Sequence, residues 1–332
     1  MQLVISCDYL ISPAFCVSNK LAELVGDLIA IKREIDDGGQ RVVIEKDALR
    51  KLTELSYYPC APLFKSNIPK ELRGEFAPKD IANIVRNIAS ATLEEACTLP
   101  ECVAEWNTKE FTPILQGTSH ERSDDLSQLV EDILLAVHFY QKPYSILHHP
   151  IDSGVNSVKV SGEITESIPA LLTAPPLALE EQVPVFSTYN NFLSQFDSTE
   201  MYTKAETVEQ ISEALFLGAA ALMQITGVGH QRKFSIGESF INSLHEHQCA
   251  PGQRFSGTAF DVICHVIATI PKYPHNPMYK NLDSKEQRKK NAALAWRTQV
   301  TKGNPALRLM YWVEGDSIEL ANIGNKKDLE IL

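Results

Sequence analysis

Three cations late in the sequence could share one task. Arg297 lies in ALAWRTQV, Arg308 in LRLMYWV, and Lys326 just beyond SIELANI. If these runs are strands, Leu307, Leu309, Tyr311 and Val313 share one face, and Arg308, Met310 and Trp312 share the other. In the preceding run Trp296, Thr298 and Val300 alternate with Arg297 and Gln299, so Arg297 and Arg308 emerge together on an open face. Lys302, in the loop between the two runs, and Lys327, beside Lys326, would add a cationic rim. Guanidinium and ammonium groups fixed around a phosphate bind it, and they stabilise added negative charge without a metal.

Short, regular elements must hold these groups. Glu314, Gly315 and Asp316 form a hairpin turn between LRLMYWV and SIELANI, and the glycine can take positive φ. Upstream, RKFSIG (Arg232 to Gly237) reads as a strand, ESFINSL as a short helix, and TAFDVICHVIATIP as a second helix stopped by Pro271. Arg288, Lys289 and Lys290 precede the run that carries Arg297, and suit phosphates better than bases.

A strand, two helices and a three-stranded antiparallel meander, carrying WRTQV and then LRLMYWVEGDSIELANIGNKKD, resemble the RelE/ParE toxin superfamily over residues 231–332. The resemblance implies a compact fold with a concave, basic sheet, used by RelE-like members to cut mRNA at the ribosome and by ParE-like members to inhibit gyrase. It implies that Arg308 contacts the scissile phosphate, with Arg297 and Lys326 as further cations of a metal-independent endoribonuclease. Lys302, Lys327, Arg288, Lys289 and Lys290 would bind nucleic acid. Expected partners are mRNA, the ribosome and an antitoxin or other regulatory protein, with roles in translation inhibition, stress response or antiviral defence.

The pattern departs from the family in two places. Family enzymes commonly carry a Tyr or His near the C-terminus, whereas this sequence reads DLEIL from Asp328 to Leu332. Gln299 stands where the family has a lysine-like position. A proton acceptor would have to come from Glu286, His275, Tyr279 or a lysine with a depressed pKa. The alternative reading is an inert RelE-like module that binds a protein or nucleic acid.

A second alternative is a zinc-dependent hydrolase built on His245, His247 and Cys249, with Cys264 and His265 nearby. That spacing matches no zinc motif, and no metal or cofactor is expected. Cys97 and Cys102 read as free thiols, and His148, His149 and Pro150 as a loop. No dinucleotide fingerprint, Walker loop or HExxH is present.

The 332 residues carry a net charge of −11, which disfavours a uniformly anion-binding surface. The charge is uneven. Residues 232–332 hold 14 Lys/Arg against 10 Asp/Glu, and residues 1–231 hold 17 against 32. An acidic, mixed and largely helical α/β region over 1–230, with a subdivision near 173–187, and a basic module over 231–332 make an α+β protein.

In the first region LVIS and RVVIE read as strands, and Ser18–Ile35, Lys79–Ala96 and Ser123–Gln141 as amphipathic helices. Asn156–Ile164 reads as a strand. The proline-rich Thr173–Ser187 reads as a linker or long loop, excluded from helix and central strand. Thr203 with Glu206 reads as a capping box opening a buried helix that ends at Gly227. Seven cysteines in no framework point to a reducing compartment. MQLVISCDYL reads as a strand rather than a signal, and no run reaches the length of a membrane span. The expectation is a cytoplasmic protein of unspecified oligomeric state.

Overall fold

The computed structural model describes residues 1–36, 41–91, 99–149, 154–168, 172, 174–280, 286–328 and 330–332. The fold is α+β, in two compact units, Met1–Phe192 and Leu193–Leu332.

The first unit runs β1 (Gln2–Ile5), α1 (Cys7–Leu10), α2 (Leu21–Asp36), β2 (Val42–Ile44), α3 (Ala48–Glu54), α4 (Ala61–Lys65), α5 (Pro78–Ser90), β3 (Val103–Thr112), α6 (Arg122–Tyr140), β4 (Tyr144–Leu147), β5 (Ser157–Ile168) and β6 (Leu177–Phe186), then α7 (Tyr189–Leu193). Its sheet has the order β2-β1-β4-β6-β5-β3. The pairs among β2, β1, β4 and β6 are parallel, and β6, β5 and β3 run antiparallel. β2 and β4, wholly buried, and β1, buried from Leu3 to Ile5, form its centre, as parallel strands covered on both faces require. On α2, Leu21, Leu24, Val25, Leu28 and Ile31 are buried at helical spacing.

β6 corrects the expectation for Thr173–Ser187: this stretch supplies a strand inside the sheet. Pro184 is tolerated there for a geometric reason. Val185 N donates to Asn156 O on the β5 side, so position 184 would donate toward β4, whose pairing with β6 involves only Val185 and Phe186.

The second unit contains α8 (Ser198–Thr203), α9 (Val208–Thr226), β7 (Lys233–Ile236), α10 (Phe240–Glu246), α11 (Ser256–Ile267), β8 (Asn276–Pro277), β9 (Lys289–Lys290), β10 (Ala293–Gln299), β11 (Leu307–Glu314) and β12 (Ser317–Asn325). The capping box is formed by Thr207 and Gln210 rather than Thr203 and Glu206, and Thr203 closes α8 instead. Gly227 ends α9 at φ 66°, the left-handed conformation that glycine adopts without a Cβ clash. The sheet order is β7-β12-β11-β10-β8, with β9 on the free part of the β10 edge. β7 lies parallel to β12, and the meander is antiparallel.

One core joins Ile211, Ala214, Leu215 and Ala219 of α9 to Phe260, Ile263 and Ile267 of α11 and to Leu307, Leu309 and Tyr311 of β11. The boundary expected at 230/231 therefore falls inside a continuous core. The charge account changes with it. Residues 193–332 hold 15 cations and 15 anions, because Asp197, Glu200, Glu206, Glu209 and Glu213 come with α8, α9 and their link. Among the described residues, no helix is long and apolar enough to cross a membrane.

Candidate functional site

Register places the arginines. Arg297 is opposite Met310, and Gln299 is opposite Arg308. Arg297 and Arg308 are therefore diagonal neighbours on one face, within reach of long side chains. Leu307, Leu309 and Tyr311 point the other way, into the core shared with the helices.

The arginine face is not bare along its whole length. Met310 and Trp312 pack with Ala293, Ala295, Ala321 and Met278 into a second, small apolar cluster, and Ile331 covers it. Leu332 N donates to Asn322 Oδ1 at 3.1 Å, which ties the segment after β12 to the same face. An aliphatic residue near the end of the chain, Ile331, is thus laid on the sheet.

Neither arginine has a carboxylate partner among the described residues. Arg308 Nη1 donates to Leu307 O at 2.8 Å. Burial and then the neighbouring Arg297 push the Arg308 pKa down, so its charge is held at a cost that a bound anion would relieve. Two further donors on this face lack acceptors: Gln299 Nε2 and Trp312 Nε1 are enclosed and unbonded. An enclosed donor without an acceptor costs about 1–3 kcal/mol; the acceptors on this face are engaged elsewhere, Asn322 Oδ1 by Leu332 N and the Asp328 carboxylate, which lies over Gly324 opposite Arg308, by Asn325 N at 2.5 Å.

The surrounding cations divide. Lys326 and Lys327 are exposed, and Asn325 pairs with Leu307, so register brings them to the end of β11 that carries Arg308. Lys302 Nζ sits 5.5 Å from the centre of the Tyr273 ring, which packs against the helix-side core. It is drawn away from the arginines. Arg288 donates to Tyr279 O and Lys280 O at 3.0 and 3.2 Å and so staples its own loop. Lys290 is neutralised by Glu319 at 2.6 and 2.9 Å. Lys289 is exposed opposite Leu294, toward the other end of the sheet.

The candidate proton acceptors do not join the arginines. His275 meets the ring of Tyr311 edge-on at 5.9 Å, on the helix side, and burial, then Arg232, lower its pKa. Glu286 is held by Lys280 at 2.6 Å. Tyr279 is exposed beyond β8.

No protein-family model, curated protein or solved structure matches this chain.

The histidine and cysteine cluster does not assemble. Cys249 Sγ donates to His247 O, Cys264 Sγ to Leu215 O, and His265 Nδ1 lies 2.8 Å from Asp261 O. Among the described residues no three His, Cys, Asp or Glu side chains are placed to hold a metal ion. Cys97 and Pro150 lie outside the described residues.

A second polar centre, of which the sequence singles out only His148, closes the C-terminal ends of β1, β2 and β4. Arg122, fully buried, donates to Asp8 Oδ2 from Nε and Nη2 at 2.9 and 2.8 Å. It also donates to both Glu45 oxygens at 3.1 and 2.9 Å and to Asp125 at 2.8 Å. Burial works against the Arg122 charge, but Glu45 and Asp8 outweigh it and raise the pKa.

His148, also buried, lies 2.9 Å from Gln116 O and 3.1 Å from Ser6 Oγ. A carbonyl only accepts, so Nε2 carries the proton and Nδ1 accepts from the Ser6 hydroxyl. This is where open α/β sheets bind ligands, yet here the chain's own groups fill it. One sequence signal pointed to it: Arg122 sits in the first turn of α6, where the helix end disfavours a cation.

Proposed function

We propose that the second unit is a nucleic-acid-binding module, whose arginine face grips the phosphate backbone of single-stranded RNA without cutting it. What carries this reading is one observation: Arg297 and Arg308 share a face, neither is ion-paired with a carboxylate of the described residues, and Arg297 adds to the cost of the Arg308 charge. Exposed Lys326 and Lys327 at the same end add long-range attraction. The element order of RelE-like proteins is consistent with a ribosome-directed role, and the regulatory partner expected from that resemblance belongs to the same proposal.

Binding is favoured over cleavage because attack by a 2′ hydroxyl needs a group to take its proton. Of the candidates named for that task, His275 lies on the helix side, Glu286 in an ion pair and Tyr279 beyond β8, which leaves only a lysine beside the arginines, while Ile331 covers part of the face.

The test uses the full chain with labelled single-stranded RNA, and with a translating extract in which mRNA ends are mapped. Salt-sensitive RNA binding that Arg308→Ala weakens, with no new RNA ends, is the expected result. New ends that vanish in Arg308→Ala would assign cleavage instead, and no binding at low salt would remove the reading.

A further inference from the structure

The geometry points to Gln299 as a third, uncharged ligand of the phosphate that Arg297 and Arg308 hold. This inference rests on the phosphate-binding reading above. Gln299 lies directly opposite Arg308, on the strand that carries Arg297 two residues earlier, so its side chain faces the same side as both. Its Nε2 is enclosed and donates to nothing. The neighbours on that face do not explain the amide. Arg308 and Arg297 are donors only, Met310 offers at most a weak sulfur acceptor, the Asn276 amide opposite Arg297 is turned to Pro274 O at 3.2 Å, and Asp328, whose carboxylate lies over Gly324 on the far side of Arg308, accepts from Asn325 N at 2.5 Å.

Once the side chains that enclose Nε2 part, an anion seated between the guanidinium groups supplies the missing acceptor. A phosphodiester has two free oxygens, each able to accept more than one N–H, so two arginines and one amide fit a single phosphate without crowding like charges. A lysine at this position would stand directly opposite Arg308 and add to a repulsion already felt between the arginines. The amide provides a donor at no electrostatic cost to the unliganded protein, and it acts as a positioning group through geometry rather than charge.

Charge and geometry separate in salt dependence. Each phosphate-neutralising cation contributes about 0.7 to the slope of log K against log salt for a single strand. Binding of a labelled single-stranded RNA to the full chain is measured between about 50 and 200 mM salt, with thermal unfolding recorded for every variant. Arg297→Ala and Arg308→Ala each flatten the slope. Gln299→Leu weakens binding roughly tenfold, the worth of one hydrogen bond to a charged acceptor, and leaves the slope unchanged. Gln299→Glu accepts from Arg308, so it unfolds at higher temperature than the parent while losing RNA.

If Gln299→Leu and Gln299→Glu bind as tightly as the parent while the arginine variants flatten the slope, Gln299 is no ligand and the phosphate reading stands alone. If the parent chain shows no salt-dependent binding, both fall together. A Gln299→Leu chain that changes the slope would also overturn the assignment, since a neutral ligand displaces no counterion.

Discussion

Arg297 and Arg308 stand diagonally across the β10–β11 pair, and no carboxylate of the described residues pairs with either. The protein keeps an unneutralised repulsion that one substitution would remove. Arg297→Glu is expected to raise stability by about 0.2–1 kcal/mol through a cross-strand ion pair while abolishing RNA binding. Thermal unfolding and anisotropy on the same sample check both halves. A loss of both properties would mean that Arg297 packs structurally.

The Arg122 centre sets the stability of the first unit. Arg122→Met leaves Asp8 and Glu45 buried without their counter-ion, and breaking a buried pair from one side costs about 3–5 kcal/mol. Arg122→Lys does not rescue it fully, because a lysine cannot span Asp8 and Glu45 with a planar fork. Urea unfolding followed by a probe in the first unit should show both midpoints lowered, the lysine variant's less.

Asp27 introduces a pH dependence of the opposite sense to most carboxylates. Tyr9 Oη and Tyr189 N donate to it at 2.5 and 2.7 Å, yet burial dominates and raises its pKa to about 6. The folded state then binds a proton more tightly than the unfolded chain. This contribution is fully present below about pH 4 and is lost as pH rises through about 6. The difference amounts to roughly 3 kcal/mol. Asp27→Asn retains an oxygen acceptor, so its denaturation midpoint should exceed the parent's above about pH 7, with the gap shrinking below about pH 5. An equal gap at both pH values would show that Asp27 titrates normally.

The core shared by α9 and α11 fixes where the second unit can be cut. A fragment starting at residue 231 loses Ile211, Ala214, Leu215 and Ala219 from beneath α11. It should be soluble only in part and lack a cooperative melt, whereas 193–332 should melt in one transition. Differential scanning calorimetry of the two fragments distinguishes them. A cooperative 231–332 would mean that α9 is dispensable.

The meander was readable in the sequence because Leu307, Leu309 and Tyr311 alternate strictly and Gly315 marks the turn at φ 55°. Local pattern failed where two frames satisfied the same rule. Thr203 with Glu206 reads as the capping box, but Thr207 with Gln210 satisfies the same spacing and forms it in the structure. β6 was missed because a proline excludes a strand only if its N–H side is paired, which depends on β4, far away in sequence. Arg122 was missed for a related reason: Asp8 and Glu45 lie 114 and 77 positions from it. Strand alternation put Gln299 on the Arg297 face, but its pairing with Arg308 and its idle amide did not follow from it, since register and enclosure are properties of the folded sheet.

The acidic helices of the second unit have a consequence for how that face would meet the RNA proposed for it. α8, α9 and their link carry Asp197, Glu200, Glu206, Glu209 and Glu213, and α9 packs on the helix side of the sheet. Arg297 and Arg308 lie on the other side. The unit is thus neutral overall but unevenly charged: acidic helices behind, and in front two arginines with Lys326 and Lys327, beside Asp328 and a Glu319 that Lys290 neutralises. In dilute salt a polyanion would turn it front-first before any contact forms, an orienting torque that a count of its charges does not reveal.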